Sequence, residues 1–422
     1  MISIEFIRNN FEKAESGLKS KGSKENLSEI LSIDKDYRAD LFKVNNLRSD
    51  RNKVSDQISE LKKAKQDASD KILSMRAVGE QIKEIEISLS EKKDNLNALI
   101  LNLPNIPHTS VPYGDGEDNN KVIYEWGDET KKNFELKTHL DLGSNLNLFD
   151  FERSAKISGS GFPLYTGKGA LLERSLINFM LEFQTQKNHY VEIIPPYIVK
   201  SSSVLTTGNL PKFSEDMYHS EVDDLWLIPT AEVPLTSIHS NEILSESDLP
   251  KKYTAYSPCF RREAGSYGKD TKGFQRLHQF NKVELVQLVH PEDSYKALET
   301  LTSDAEAILK SLSLKYRKIE LCTGDLSFSA AKCYDLEVWS PSEKKWLEVS
   351  SCSNFEDFQS RRGNIKFRRD SDRKVDFVHT LNGSGLATPR LLIALLETYQ
   401  NSDGSITIPE PLQEYTKLKI ID

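Results

Sequence analysis

Cysteine is scarce in this sequence, with four residues (Cys259, Cys322, Cys333 and Cys352) among 422. They are scattered, form no Cys-x-x-Cys pair and have no clustered histidines to join. Such spacing argues against a zinc site and a disulfide framework, and it suits a reducing cytoplasm. No apolar run approaches the roughly 18 residues a membrane span needs, so no membrane partner is expected. The start, Met1-Ile-Ser-Ile-Glu-Phe-Ile-Arg, is apolar for only a few residues and carries Glu5, which does not read as a signal peptide. Positive charge is also short: 56 Lys and Arg against 64 Asp and Glu leave a formal charge of -8. The whole molecule therefore repels nucleic acid, and any RNA contact requires a locally basic surface. Ser158-Gly-Ser-Gly161 and Gly167-Lys-Gly169 complete neither a dinucleotide fingerprint nor a GxxxxGK[ST] loop, so they read as turns.

At this length two or three domains are the natural expectation. Near the N-terminus, Ile30, Ile33, Tyr37, Val44, Leu47, Val54, Ile58 and Leu61 follow alternating steps of three and four, with Asp40 and Arg51 in two seam positions. Met75, Val78, Ile82, Ile85, Leu89, Leu96 and Leu99 repeat the pattern, with Lys92 in one slot. Sustained spacing of this kind predicts a coiled coil, and polar Gln66–Asp70 between the two runs makes it an antiparallel helical hairpin. Leu103-Pro-Asn-Ile-Pro-His ends it, since proline cannot continue a helix. Residues 1–103 are thus a helical arm, 104–120 a linker or strap, and 121–422 a second domain.

In that second domain, strand-like runs (Trp226-Leu-Ile-Pro, Lys282–Val289, Tyr334–Trp339, Trp346–Ser350) mix with helical patterns at 171–186, 294–312 and 389–400. Strands and helices do not alternate strictly, which points to an α+β fold with a mostly antiparallel sheet flanked by helices. Phe260-Arg-Arg-Glu-Ala-Gly followed by Arg276-Leu-His-Gln-Phe280 and Lys282-Val-Glu284 reads as two strands joined by a loop from Gly265 to Gly273. Alternation puts Arg261 and Glu263 on one face of the first strand, and Arg276, His278, Phe280, Lys282 and Glu284 on one face of the second. Arginines, an aromatic ring and carboxylates so arranged could hold a phosphate chain, a flat base and an amine. An exposed, ion-paired sheet is the alternative that residue types alone leave open.

These residues resemble the second signature motif of class II aminoacyl-tRNA synthetases, in its seryl-tRNA synthetase form. Leu227-Ile-Pro-Thr-Ala-Glu-Val-Pro-Leu-Thr236 is similar to that family's serine loop. Ala331–Trp339 and Glu348-Val-Ser-Ser-Cys-Ser-Asn354 resemble its metal and ATP strands, and Leu381-Asn-Gly-Ser-Gly-Leu-Ala-Thr-Pro-Arg390 its third signature motif. Tyr190-Val-Glu-Ile-Ile-Pro-Pro196 resembles its first, which in the class belongs to the dimer interface. The likeness runs essentially the whole chain, the hairpin included. It implies a class II catalytic domain that activates L-serine with ATP and passes it to tRNA(Ser), with tRNA(Sec) expected as a second RNA, in a cytoplasmic homodimer. Arg261 and Arg390 are the expected catalytic residues, Arg261 holding the α-phosphate and the attacking carboxylate. Phe280 is expected on adenine, with Arg276 and Arg390 at the terminal phosphates or the base's outer face. Arg262, Glu263, Leu277, Val349 and Ser350 complete the ATP site, and Glu348 and Ser351 would ligate Mg2+. Thr230 and Glu232 would bind the serine amino group, Glu284 and Ser384 its hydroxyl, and Ala231 belongs to the same serine site. One departure is Arg262, where the family usually has a small residue; on the strand it faces opposite to Arg261. Two other classes stay open: a catalytically inactive paralogue used as an interaction protein, and an amino-acid:carrier-protein ligase, although such ligases lack the long arm.

The arm supplies the local basic surface that the net charge demands. Arg48, Arg51, Lys53, Lys62, Lys63 and Lys65 outnumber Asp50, Asp56 and Glu60 over the same stretch. By charge alone this could be an ordinary solvated coiled-coil face. The resemblance makes it the expected tRNA footprint, acting through phosphates and shape.

Overall fold

The computed structural model describes residues 1–129, 131–264 and 273–422. The loop expected from Gly265 therefore lies, up to residue 272, outside the described residues. The chain forms two compact units, one made of Ile2–Lys19 with Ser23–Pro104, the other of Met1, Ser20–Gly22 and Asn105–Asp422.

In the smaller unit, α1 (Leu27–Lys63) and α2 (Ser69–Leu101) form the hairpin. At about 1.5 Å per residue the limbs extend roughly 55 and 50 Å. The Asn26 side chain caps α1 by accepting from the Ser28 and Glu29 N–H groups, and Lys62 and Lys63 in its last turn complement the helix dipole. Every apolar position of the two expected seams is buried or half-buried. Cross-helix pairs run in antiparallel register: Arg48 with Glu86 at 2.6 Å, Lys71 with Gln57 at 2.6 Å and Lys92 with Asp40 at 2.6 Å. The last pair joins two of the polar residues expected in the seam, so each satisfies the other. Arg51, the third, is exposed and does not fill the seam.

The larger unit is built on an eight-stranded sheet: β1 (Lys121–Trp126), β2 (Val191–Glu192), β3 (Lys251–Phe260), β4 (Gln279–Val289), β5 (Tyr316–Glu320), β6 (Lys332–Ser340), β7 (Lys345–Asn354) and β8 (His379–Ala387). Their spatial order is β1-β5-β6-β7-β8-β4-β3-β2. All neighbours are antiparallel except β2 and β3. Helices α3 (Gly167–Gln186) and α5 (Ser294–Ser311) each bury one face, α6 (Thr388–Tyr399) is buried on all sides over Leu391–Glu397, and a short helix α4 (Glu232–Ser237) starts within the Leu227–Thr236 motif. Leu172, Leu176 and Met180 of α3, Leu298, Leu301 and Ile308 of α5 and Leu391–Leu396 of α6 share one core with Val283, Leu285, Leu336 and Leu381 of the strands. Because side chains alternate along a strand, β4 sends Val283 and Leu285 into this core and keeps Lys282 and Glu284 for the opposite face.

The first strand of the arginine motif is shorter than expected. β3 ends at Phe260, and Arg261–Ala264 continue outside it. Glu263 takes a left-handed backbone (φ +51°) that no strand accommodates. Residues 105–116 lie along the larger unit, where Asn105 N–H donates to Phe328 O (2.8 Å), His108 N–H to Ala331 O (2.9 Å) and Gly324 N–H to Gly114 O (2.8 Å).

One core carboxyl carries a pH signature. Glu173 of α3 is buried where it accepts from Thr388 Oγ1 and, at 2.8 Å, from Asn281 Nδ2. Burial pushes its pKa up to about 6 despite those donors. A carboxyl raised above its unfolded value favours the folded state when protonated, and that advantage is lost as pH rises through about 6. For Glu173→Gln, urea unfolding should show the variant gaining about 2 kcal/mol on the wild type between pH 4.5 and 7.5. A difference that does not change with pH would contradict this assignment.

Candidate active site

The polar face of β4, β7 and β8 floors a cleft of about 700 Å³, walled by Thr207–Asn209, Phe213, Asp216, Met217, Pro229, Thr230, Glu232 and Ser327–Ser329. At one end two carboxylates lie close together. Glu284, with no exposed surface, pairs with Ser384 across the β4–β8 ladder. One of its oxygens accepts from both Thr230 Oγ1 and Lys282 Nζ. Its other oxygen, Oε1, is buried without a hydrogen-bond partner. Glu232, at the start of α4, accepts from Gln359 Nε2 at 2.6 Å and from Asn382 Nδ2 at 2.8 Å. Burial, reinforced by the charge of Glu284, pushes its pKa up to about 7. Asn382 has a buried carbonyl oxygen that is likewise unpartnered. A buried acceptor left without a donor is unfavourable by about 1–3 kcal/mol, so these two oxygens mark where a ligand's O–H or N–H belongs. Ser384 is held by Ser350, whose hydroxyl donates to the Ser384 carbonyl at 2.6 Å.

The other end is cationic. The Arg261 guanidinium lies 5.1 Å over the Phe280 ring and donates through Nε to Pro229 O at 3.4 Å. Arg276 pairs with Glu263 at 2.8 Å. Arg390, on the first turn of α6, donates to Gln275 O at 3.3 Å and to Glu348 O at 3.0 Å, with the Glu348 carboxylate 3.4 Å away. A ring beside three guanidinium groups suits a flat base and a phosphate chain.

Behind this end stands a polar buttress. His139 Nδ1 lies 3.4 Å from the buried Glu397, which also accepts from the hydroxyl of Ser340 and the N–H of Ser342. Glu343 lies 3.7 Å from the same ring and accepts from Gln275 Nε2 at 2.9 Å. Gln275 is therefore fixed at its side chain by Glu343, while its carbonyl fixes Arg390.

A divalent cation fits the donor set near Glu348. The Ser351 hydroxyl lies 3.1 Å from Cys333 Sγ, and burial plus the neighbouring Glu348 charge hold the Asp335 carboxyl well above the usual carboxylate range. Among the described residues no third His, Cys, Asp or Glu ligand joins Asp335 and Glu348 in a ready cage. A cation here would draw on a ligand's phosphates and on water, as hard, reluctantly dehydrated ions do.

Of the residues expected at the site, Thr230, Glu232, Arg261, Glu263, Arg276, Leu277, Phe280, Glu348, Val349, Ser350, Ser351, Ser384 and Arg390 line this one cleft. Glu284 and Ala231 are buried just beneath its surface and do not line it. Arg262 does not line it either. It is exposed, and its N–H donates to Asp216 O at 2.9 Å. His278 also leaves the expected face: it stacks on Phe162 at 5.4 Å and its Nδ1 meets Arg261 O at 3.0 Å. Lys282 as a counter-ion, and Asn382, Gln359, Gln275 and Asp335, were not anticipated in these roles. Only Lys282, Asp335 and Asn382 carried any signal, through their places inside the quoted motifs. On the helical unit Arg48, Arg51, Lys53, Lys62, Lys63 and Lys65 are all exposed, with Arg48 paired to Glu86 and Lys53 to Asp50.

Comparison with known proteins agrees with this geometry. Residues 1–107 match the family model described as the seryl-tRNA synthetase N-terminal domain, and residues 213–399 that of the class II tRNA synthetase core domain (G, H, P, S and T). The chain is 52% identical to a serine–tRNA ligase of Listeria welshimeri, over 98% of this chain and 97% of that one. It is 50% identical to the serine–tRNA ligase of Geobacter sulfurreducens over 98% of each. The crystal structure of seryl-tRNA synthetase from Pyrococcus horikoshii complexed with ATP superposes with a TM-score of 0.94 at 39% identity, covering 100% of this chain and 99% of that one.

Proposed function

The chain belongs to the seryl-tRNA synthetase family, and from that premise we propose how its cleft divides the work between amino acid, nucleotide and RNA. It is an ATP-dependent serine–tRNA ligase that aminoacylates tRNA(Ser). In the first step a serine carboxylate oxygen attacks the α-phosphorus of ATP and pyrophosphate departs. In the second a 3′-terminal hydroxyl of the tRNA attacks the acyl carbon and AMP departs. The attacking carboxylate is already ionised, so orientation and charge stabilisation matter more than a general base.

What carries the serine reading is the unpartnered Glu284 Oε1, buried next to Thr230 and Lys282. A serine hydroxyl donating to that oxygen removes its deficit; Ser384, paired with Glu284, stands beside it. Glu232 and Thr230 receive the ammonium. Arg261, at the junction of the two ends, holds the serine carboxylate and the α-phosphate and there opposes the negative charge of the transition state. Phe280 takes the adenine, and Arg276 and Arg390 the outer phosphates. Glu348 and Ser351 would hold Mg2+, which would supply positive charge to offset that of the phosphates. Hard oxygen donors and four buried, free cysteines make zinc no part of this reading.

The exposed basic residues of the arm serve tRNA(Ser) through its phosphates, and tRNA(Sec) by the same means. The family resemblance of Tyr190–Pro196 and the exposure of Ile194 (84%) support a homodimer through that segment. The cytoplasm is the proposed compartment; among the described residues no helix is long and apolar enough to cross a membrane.

Two experiments test the assignment. Glu284→Ala should lower kcat/KM for serine in ATP–pyrophosphate exchange by roughly 100-fold or more while ATP affinity stays within about threefold. Equal losses for both substrates would remove Glu284 from the serine site. Deleting residues 35–97 should leave pyrophosphate exchange near the wild-type rate and abolish tRNA charging. Undiminished charging by the truncated protein would contradict the role given to the arm.

A further inference from the structure

Gln359 does not line the cleft, yet it fixes the carboxylate that does. It lies fully buried on the helix Phe358–Gly363, and its Nε2 donates to Glu232 Oε1 at 2.6 Å and to Thr207 O at 3.3 Å. Its Oε1 accepts from the buried Thr380 hydroxyl at 2.7 Å. The amide orientation is determined by chemistry, because a carboxylate and a carbonyl can only accept and so must face the NH2 group. Asn382 Nδ2 takes the second Glu232 oxygen from β8. Both Glu232 oxygens are thus held by neutral donors on two separate elements, and neither is paired with a cation within salt-bridge distance among the described residues.

We propose that Gln359, oriented by Thr380 and acting with Asn382, is a positioning residue that aims Glu232 at the serine ammonium while leaving its charge uncompensated until serine arrives. The inference rests on the reading of Glu232 as the ammonium ligand. Its physical content is selective. A lysine or arginine in place of Gln359 would also fix the carboxylate, but it would compete with the substrate's cation. An apolar residue would leave a buried charge short of a donor and shift Glu232 toward its neutral form. The charged groups bearing on Glu232 are Glu284 and Lys282 of β4, the first raising and the second lowering its pKa, and the Gln359 and Asn382 amides both lower it. Since only ionised Glu232 attracts an ammonium, serine use should strengthen as pH rises through about 7. Losing Gln359 should move that rise to higher pH.

The test uses the full-length protein in ATP–pyrophosphate exchange, with kcat/KM for serine measured from pH 6 to 9. Gln359→Leu should lower kcat/KM for serine by about 10- to 100-fold near pH 7, the range for losing a hydrogen bond to a charged group. It should shift the acid limb alkaline by up to about 1 pH unit and change KM for ATP by less than about threefold. Thr380→Val, which preserves volume and removes only the orienting hydroxyl, should move both serine readouts the same way by a smaller factor. It keeps the inference testable where Gln359→Leu does not fold. Equal losses for serine and ATP, or an unmoved acid limb in both variants, would overturn the positioning role. Glu232→Gln serves as the separate control. If it leaves serine use intact, the reading of Glu232 itself fails; if it weakens serine use while both other variants match the wild type, only the role of Gln359 fails.

Discussion

Two carboxylates, the half-buried Glu232 and the fully buried Glu284, lie close together at one end of the cleft beside a single lysine, Lys282. Removing ionised carboxylates from water is unfavourable by several kcal/mol each unless partners replace the lost solvent. Here the replacement is incomplete by construction. Lys282 and Thr230 serve one Glu284 oxygen and leave the other bare, while Glu232 has only amide donors. A zwitterion bearing an ammonium and a hydroxyl supplies what is missing, and supplies it in one orientation. On the proposed reading, that orientation would direct its carboxylate toward Arg261, where the nucleotide end of the cleft would begin. Specificity and alignment for attack therefore come from the same deficit.

The remainder of the larger unit keeps this deficit from relaxing. Glu284 and Ser384 stand opposite each other on paired strands, so their separation is set by the ladder rather than by flexible loops. Gln359 and Asn382 reach Glu232 from a helix and from β8. At the nucleotide end, Arg390 is tied to the carbonyls of Gln275 and Glu348, and Gln275 is tied in turn to Glu343 beside the His139–Glu397 cluster. Glu232 and Arg390 are thus each braced by further polar groups, among them Gln359 and the Glu343-held Gln275. Positioning of this kind is what a reaction with a ready-made nucleophile requires.

Much of this was legible in the sequence, and the exceptions have a common cause. The heptads of the arm state their own structure because their partners recur at fixed local steps; even Asp40 and Lys92, polar intrusions in the seam, turned out to face each other. The nucleotide arginines, Phe280 and the carboxylates came from short motifs whose members lie on neighbouring strands. Gln359, by contrast, meets Glu232 across 127 positions of sequence, and nothing in the residues around either one announces the other. Strict alternation put His278 on the cleft face, which it leaves, and ran the first strand past Phe260, where β3 stops before Glu263 turns left-handed. A periodicity argument has no means of locating such a break. Arg262, expected to face opposite to Arg261, is exposed and does not line the cleft.

The central claim is that a bare, buried carboxylate oxygen reads the serine hydroxyl. The most direct measurement is ATP–pyrophosphate exchange by the wild-type protein with L-serine and L-alanine, which differ by that hydroxyl alone. A site built to hydrogen-bond the hydroxyl should prefer serine in kcat/KM by about 10⁴–10⁵-fold, since alanine leaves Glu284 Oε1 still without a donor. A preference of only about 100-fold or less, the scale of simple shape discrimination, would contradict it.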